Sequence, residues 1–194
     1  MKRIAIFGGT FNPVHIGHLI GAQIVCERLQ LDQVIFMPCF LPPHKTQDNL
    51  AAGAERLRML RLAVTGNKKF VVSDFEIKRA GKSYSIDTAR FFRRKLSTKA
   101  QIFFIIGEDN YAHLAAWKNI EELRGLVNFV VLNRAVGSNP ARRVSGSKKT
   151  VFVQMPQIDI SSSLIRHNLR QRKSVRYLLS EKVLTFINKR KLYY

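Results

Sequence analysis

The chain has 194 residues, 46% of them hydrophobic, which suits one ordinary domain over 1–194 with a full core, and its two cysteines are too few for a disulfide framework. No apolar run approaches the roughly 18 residues of a membrane helix, and no charged-then-apolar leader opens the chain, so a cytoplasmic protein with free thiols at Cys26 and Cys39 is expected. The net charge of +20 draws polyanions and steers nucleotides, yet the basic residues are scattered and lack zinc-finger or RNP spelling; a solvated basic surface is expected, and nucleic acid is not an expected partner.

Ile4 to Phe7 is a short apolar run that predicts a strand buried on both faces of a parallel sheet. Gly8 and Gly9 end it, permitting positive φ and close approach to bare backbone. Pro13 is placed at the start of a helix running to about Leu29, with Ile16, Leu19, Ile20, Ile24 and Val25 as its apolar positions. Val34–Met37 returns as a strand stopped by Pro38, giving a β-α-β crossover. Residues 39–52 have no period and read as a surface loop of functional length.

Leu57, Leu60 and Val64 space a second helix, with Arg56, Arg58 and Arg61 on its other faces, and Phe70–Val72 follows as a strand. After a turn at Gly81–Tyr84, Ser85 is expected to cap a helix carrying Ile86, Ala89, Phe92 and Leu96. Gln101–Ile106 is the most apolar strand and ends at Gly107-Glu108-Asp109. A helical stretch with Leu114, Trp117 and Leu123 precedes a strand at Phe129–Leu132, and residues 134–149 read as an exposed loop or as a linker. Val151–Val153 is a strand, Ser161–Leu169 a helix, and Glu181–Lys189 a last helix capped by Ser180. Strands and helices alternate without a repeat, which predicts an α/β fold: a Rossmann-like, doubly wound, mostly parallel sheet with helices on both faces. Ligands of such sheets bind beyond the carboxyl ends of the strands.

His15 and His18, three residues apart around Gly17, can face one ligand from the first turn of a helix, beside the positive end of its dipole. Zinc is a poor fit because no Glu or Cys stands at ligand spacing. The dinucleotide fingerprint fails too, since Thr10, Phe11, Asn12 and Pro13 occupy the loop where Gly-x-Gly-x-x-Gly is required. An anionic ligand is left as the reading. Ile160-Ser161-Ser162-Ser163-Leu164-Ile165-Arg166 puts three hydroxyls at a helix start with an arginine one turn in, which by itself describes a capped helix.

The stretch Gly8-Gly9-Thr10-Phe11-Asn12-Pro13-Val14-His15-Ile16-Gly17-His18 resembles the signature of the nucleotidyltransferases that move AMP or CMP onto a phosphate. The 160–166 segment resembles that superfamily's second signature, with Ser163 where Thr is usual. The resemblance implies that Gly8, Gly9, Thr10, Phe11, His15, His18, Ser162, Ser163 and Arg166 surround ATP, with Thr10, His15, His18 and Arg166 catalytic. It further implies that Gly107 and Asp109 receive the ribose and that Pro42-Pro43-His44-Lys45 closes on substrate phosphate, bringing in His44 and Lys45. Mg²⁺ would be held by the ATP phosphates, with no metal ligand on the protein.

Lys82-Ser83-Tyr84-Ser85-Ile86-Asp87-Thr88 and Trp117 are similar to the acceptor segments of bacterial nicotinate-nucleotide adenylyltransferases. The resemblance implies ATP and nicotinate mononucleotide as substrates, with Asn12, Ser85, Trp117 and the Lys118 N–H on the acceptor. Lys118 replaces the usual aromatic residue, removing a stacking face and adding charge. Arg172 and Ser180 depart from a frequent Gly and Pro. Two other readings stay open: the same transfer to nicotinamide mononucleotide or phosphopantetheine, and a basic RNA-binding protein on the same fold.

Overall fold

The computed structural model describes residues 1–41, 50–133 and 149–194. Its six strands are β1 (Arg3–Gly9), β2 (Gln33–Pro38), β3 (Phe70–Val72), β4 (Gln101–Gly107), β5 (Asn128–Asn133) and β6 (Thr150–Gln154). They form one sheet in the order β3-β2-β1-β4-β5-β6, the doubly wound order that a chain of right-handed crossovers produces. The registers Phe7↔Ile105, Ile105↔Val130 and Val130↔Val151 are all parallel. Between the strands run α1 (Ile16–Arg28), α2 (Gly53–Ala63), α3 (Phe75–Arg79), α4 (Ser85–Lys95), α5 (Glu108–Ala112), a 3₁₀ turn (Leu114–Ala116), α6 (Ile120–Leu126), α7 (Ser162–Arg170) and α8 (Glu181–Arg190). No helix among the described residues is long and apolar enough to cross a membrane.

The chain condenses into two compact units, each built from three separated stretches. The first comprises Met1–Gly8, Gly21–Ile35 and Tyr84–Ile158. Its centre is β4, where Ile102 to Ile106 are all buried, as expected of a strand covered on both faces. The rest of α1 offers small residues here: Gly21, Ala22, Val25 and Cys26 are its buried positions, and a Cβ on Gly21 would stand 3.0 Å from a Leu132 methyl. Sequence spacing had favoured the larger Ile16, Leu19, Ile20 and Ile24, which are only half-buried; close helix packing selected the small side chains instead.

The second unit comprises Gly9–Ile20, Phe36–Ser83 and Asp159–Tyr194. Here α2 departs from expectation, because Arg56 is 1% exposed instead of facing solvent. Its Nη1 donates to Thr10 O (2.9 Å) and Cys39 O (2.7 Å), Nη2 to Phe40 O (3.0 Å) and Nε to Ala51 O (2.9 Å). Burial lowers the pKa of Arg56, an effect opposed by nearby Cys39 and Tyr193. Both cysteines are buried and free, as expected.

Several element ends differ from the sequence reading for local reasons. Helix α1 begins at Ile16, not Pro13, because Phe11 is left-handed (φ 47°) and the chain turns at residues 12–13 before any helical bond forms. Tyr84, not Ser85, is the N-cap of α4, and Ser180 sits at the N-cap of α8 without a side-chain bond. The helical stretch through Trp117 is interrupted: Trp117 is extended (ψ 141°) between the 3₁₀ turn and α6. Helix α3 had no periodic signal at all, being one turn long. Arg172 adopts φ 55°, the left-handed geometry for which glycine is the usual choice. The expected loop over 134–149 lies, but for Lys149, outside the described residues.

Arg56→Ala strands four carbonyls, and an unsatisfied buried acceptor costs about 1–3 kcal/mol; urea denaturation is expected to show a loss of about 3–5 kcal/mol. A second expectation concerns alkali. Burial holds the Cys39 thiol above its ordinary 9.0 and the Tyr193 phenol above its ordinary 10.0. Both groups therefore bind protons more tightly folded than unfolded, so their contribution is complete below pH 9.0 and is lost as pH rises past it. Unfolding midpoints measured from pH 8 to 11 should fall accordingly, and Cys39→Ala should flatten the early part of that fall.

Candidate active site

Strand β1 runs through Gly9, and neither Gly8 nor Gly9 has a positive φ; the turn is made by Phe11 instead. Gly9 answers a demand for space, whereas a side chain at position 8 would fit at ordinary contact distance. A Cβ on Gly8 would meet the Phe104 ring at 3.6 Å, and one on Gly9 would come within 3.0 Å of the Phe11 ring. Phe11 is buried, lying edge-on to His18 with centroids 5.0 Å apart and tilted against Phe36 at 5.9 Å.

His15 precedes the first residue of α1 and His18 is its third. His18 N–H donates to His15 O (3.0 Å), while His15 N–H donates to His18 Nδ1 (3.2 Å). The second bond is one half of a capping box, with imidazole in place of the usual carboxylate; the first is made by the His15 carbonyl and not by its side chain. It fixes chemistry as well as structure. Since Nδ1 accepts, a neutral His18 carries its proton on Nε2, which makes that nitrogen a donor. The two rings lie face to face at 3.7 Å with a 31° tilt, so the pair is held as one body. His15 is buried and His18 half-buried.

The three serines before α7 divide their labour. Ser161 Oγ caps the helix by accepting from Leu164 N–H (3.1 Å), Ser162 Oγ donates to Pro13 O (2.8 Å), and Ser163 Oγ accepts from Arg166 Nη2 (3.3 Å). Arg166 Nη1 donates to Asn12 O (2.8 Å), and its Nε is buried without a partner among the described residues. Burial lowers the pKa of Arg166, with Tyr193 opposing that shift and Arg170 adding to it. Thr10, Phe11, Asn12, His15, His18, Ser162, Ser163 and Arg166 are thus brought together in the second unit. The Asn12 side chain has a structural engagement that its motif position did not reveal: its Oδ1 accepts from Ala51 N–H (3.0 Å) and from Tyr193 OH (2.7 Å).

In the first unit Gly107 is the N-cap of α5, and a Cβ there would lie 2.5 Å from Asp109 Oδ1, so glycine permits the carboxylate to fold back over the strand end. Asp109 is exposed. Trp117 is half-buried with its edge toward Phe104 (centroids 6.3 Å, 82°), the disposition of a platform at a core boundary. Lys118 Nζ sits 4.4 Å from the Tyr84 ring centroid, a cation–π contact beside Ser85 in sequence. His44 and Lys45 lie outside the described residues.

No three His, Cys, Asp or Glu side chains among the described residues cluster to hold a metal. The second unit's cluster consists of guanidinium, imidazole and hydroxyl groups. That donor set suits a polyanion carrying its own cation, so Mg²⁺ fits here as part of a nucleotide.

Sequence reading missed Arg56 and Tyr193. Arg56 stands beside the apolar positions of α2, but a lone arginine there reads as solvated; only the carbonyls around it explain its burial.

Residues 6–168 match the cytidylyltransferase-like family model. A relative from Shouchella clausii, named probable nicotinate-nucleotide adenylyltransferase, is 40% identical over 193 residues, covering 100% of this chain and 97% of its own. One of the same name from Caldicellulosiruptor saccharolyticus is 40% identical over 197 residues, covering 98% of each chain. Among solved structures, nicotinic acid mononucleotide adenylyltransferase of Plasmodium falciparum, complexed with NaAD, superposes with a TM-score of 0.81 at 18% identity, over 100% of this chain and 98% of that one. The fold is therefore shared at low identity, while 40% identity along the whole chain goes further: this protein belongs to the nicotinate-nucleotide adenylyltransferase family, within the cytidylyltransferase-like group.

Proposed function

We propose that the protein transfers AMP from ATP to the 5′-phosphate of nicotinate mononucleotide, forming deamido-NAD and pyrophosphate in NAD biosynthesis. The observation that carries this reading is the His15–His18 pair, in which a backbone bond to Nδ1 turns His18 Nε2 into a donor. The relatives' names, along the full chain, supply the acceptor. Both units are spanned by those relatives, and we treat residues 1–194 as one nucleotidyltransferase domain acting in the cytoplasm, a compartment that suits two buried free thiols.

The attacking phosphate monoester is largely ionised at neutral pH because its second pKa is about 6. No general base is then required. The task is to align two anions in line and to stabilise charge on the α-phosphate and the departing pyrophosphate. His15, His18, Thr10 and Arg166 do this in our reading, with the Gly8 and Gly9 backbone, Phe11, Ser162 and Ser163 completing ATP binding. Arg166 retains one unpartnered buried donor, Nε, for a phosphate oxygen. Mg²⁺ bound to the triphosphate supplies further charge neutralisation. Asp109, beside Gly107, accepts the ribose hydroxyls, as a carboxylate can from a diol. Asn12, His44 and Lys45 serve the acceptor, Trp117 takes the pyridine ring, and Ser85 and the Lys118 N–H take its carboxylate.

A pyrophosphate-release assay with ATP and, in parallel, nicotinate and nicotinamide mononucleotides tests the reading: turnover should favour nicotinate. Salt-sensitive RNA binding without pyrophosphate release from ATP and either mononucleotide would replace it with the RNA-binding reading. His18→Ala should lower kcat about 100- to 1,000-fold, the usual cost of one oriented transition-state donor, with a cooperative melt retained and only about 1 kcal/mol of stability lost with the cap bond. At the acceptor end, Lys118→Ala should weaken nicotinate mononucleotide roughly 2- to 5-fold, the scale of one exposed ion pair, and leave nicotinamide mononucleotide unchanged; equal losses would remove Lys118 from carboxylate recognition.

A further inference from the structure

We propose that Tyr193 is a positioning residue of the phosphate loop, acting through Asn12 on Arg166; the kinetic part of the argument rests on the adenylyl-transfer reading above. After α8 the chain reverses: Lys191 is left-handed (φ 50°) and Leu192 N–H closes on Ile187 O at 3.1 Å, a Schellman-type ending. Tyr193 itself is held at φ 69°, a conformation that a bulky side chain keeps only where its surroundings impose it.

The constraint is the bond from Tyr193 OH to Asn12 Oδ1 at 2.7 Å. Ala51 N–H donates to the same oxygen at 3.0 Å, so both acceptor directions of the carboxamide are engaged and its orientation is fixed. Asn12 in turn presents its backbone carbonyl to Arg166 Nη1 at 2.8 Å, and Arg166 Nη2 reaches Ser163 Oγ at 3.3 Å. With both terminal nitrogens held, the direction of the remaining donor, Nε, is set by the placement of Asn12. The phenol is a durable donor, since burial keeps its pKa above the ordinary range against the opposing pull of Arg56 and Arg166.

Anchoring α8 is a weaker explanation for the contact. That helix already docks through buried Val183 and Ile187 and through Arg190, whose Nε and Nη2 lie 3.0 and 2.6 Å from Glu55 Oε1. The adjacent Tyr194 offers a control, because its hydroxyl only meets Asn188 Oδ1 on α8 at 2.7 Å.

Tyr193→Phe keeps the ring and removes the donor. It should weaken binding of a non-hydrolysable ATP analogue, read by calorimetry, and lower kcat, each by about tenfold, the equivalent of one hydrogen bond; Tyr194→Phe should match wild type in both measurements. In an Asn12→Ala background the Tyr193→Phe change should add nothing, because the two act in one chain. Wild-type analogue affinity and kcat in Tyr193→Phe overturn the proposal. So does a loss that persists undiminished in the Asn12→Ala background, and this comparison decides the matter if Tyr193→Phe also lowers the melting temperature. Failure of the wild-type protein to release pyrophosphate would sink the adenylyl-transfer reading instead, while the calorimetric comparison would still test Tyr193.

Discussion

A guanidinium sealed from water needs partners for its N–H groups, and at Arg56 four of the five meet backbone carbonyls, those of Thr10, Cys39, Phe40 and Ala51. These acceptors are neutral. Carbonyls solvate the charge without pairing it, while the buried Glu76 carboxylate, which acts on the same Cys39 thiol, offsets part of its field. The same bonds fix Thr10 against Cys39, Phe40 and Ala51, so the group that supplies the field also supplies the rigidity. Arginine suits both duties, since its planar fork can serve several fixed acceptors and it does not lose its proton.

Rigidity passes from that centre to the proposed catalytic groups by short steps. Ala51, whose carbonyl receives Arg56, gives its N–H to Asn12, and Asn12 receives Arg166 on its own carbonyl. The histidines are held in a different way, through the helix start. His18 closes the cap on His15, and edge contact with Phe11 limits the ring from another side. Electrostatic catalysis depends on donors that need not reorganise when charge develops, and each of these links removes a torsion that would otherwise have to be frozen in the transition state. The resemblance in sequence named residues that the fold gathers beside the His15–His18 pair. It was silent on why they stay where they are.

That asymmetry describes what could be read from the chain generally. Strands were legible as short continuous apolar runs: Phe70–Val72 was placed residue for residue although it is a half-buried edge strand, and Gln101–Ile106, at the buried centre, fell one short at Gly107. Helix ends were harder. Pro13 is compatible with a first helical position, but the left-handed Phe11 and the turn at residues 12–13 postpone the helix to Ile16. The stretch around Trp117 has helical spacing, yet it breaks into α5, a 3₁₀ turn and α6, with a left-handed Asn119 at the last helix start. Local spacing records which residues can share a face. It does not record where backbone dihedrals depart from the helix, and Arg56 and Tyr193 were hidden for a related reason: their partners lie 46 and 181 residues away.

The departure from the usual family spelling at Lys118 has an energetic reading. Its ammonium rests over the Tyr84 ring, an exposed cation–π contact of about 0.5–1 kcal/mol. An exposed ion pair with a pyridine carboxylate is of similar size. The contact over Tyr84 therefore offsets part of what an ion pair would add, which holds the contribution of Lys118 to affinity at a few-fold. Strong discrimination between a carboxylate and a carboxamide needs fixed donors that are left unpaired by the wrong group. In the proposed site those are the Ser85 hydroxyl and a backbone N–H, while a flexible lysine adjusts the preference set by them. An aromatic residue at position 118 would spend the position on stacking; lysine spends it on charge, at a site where charge is only loosely held.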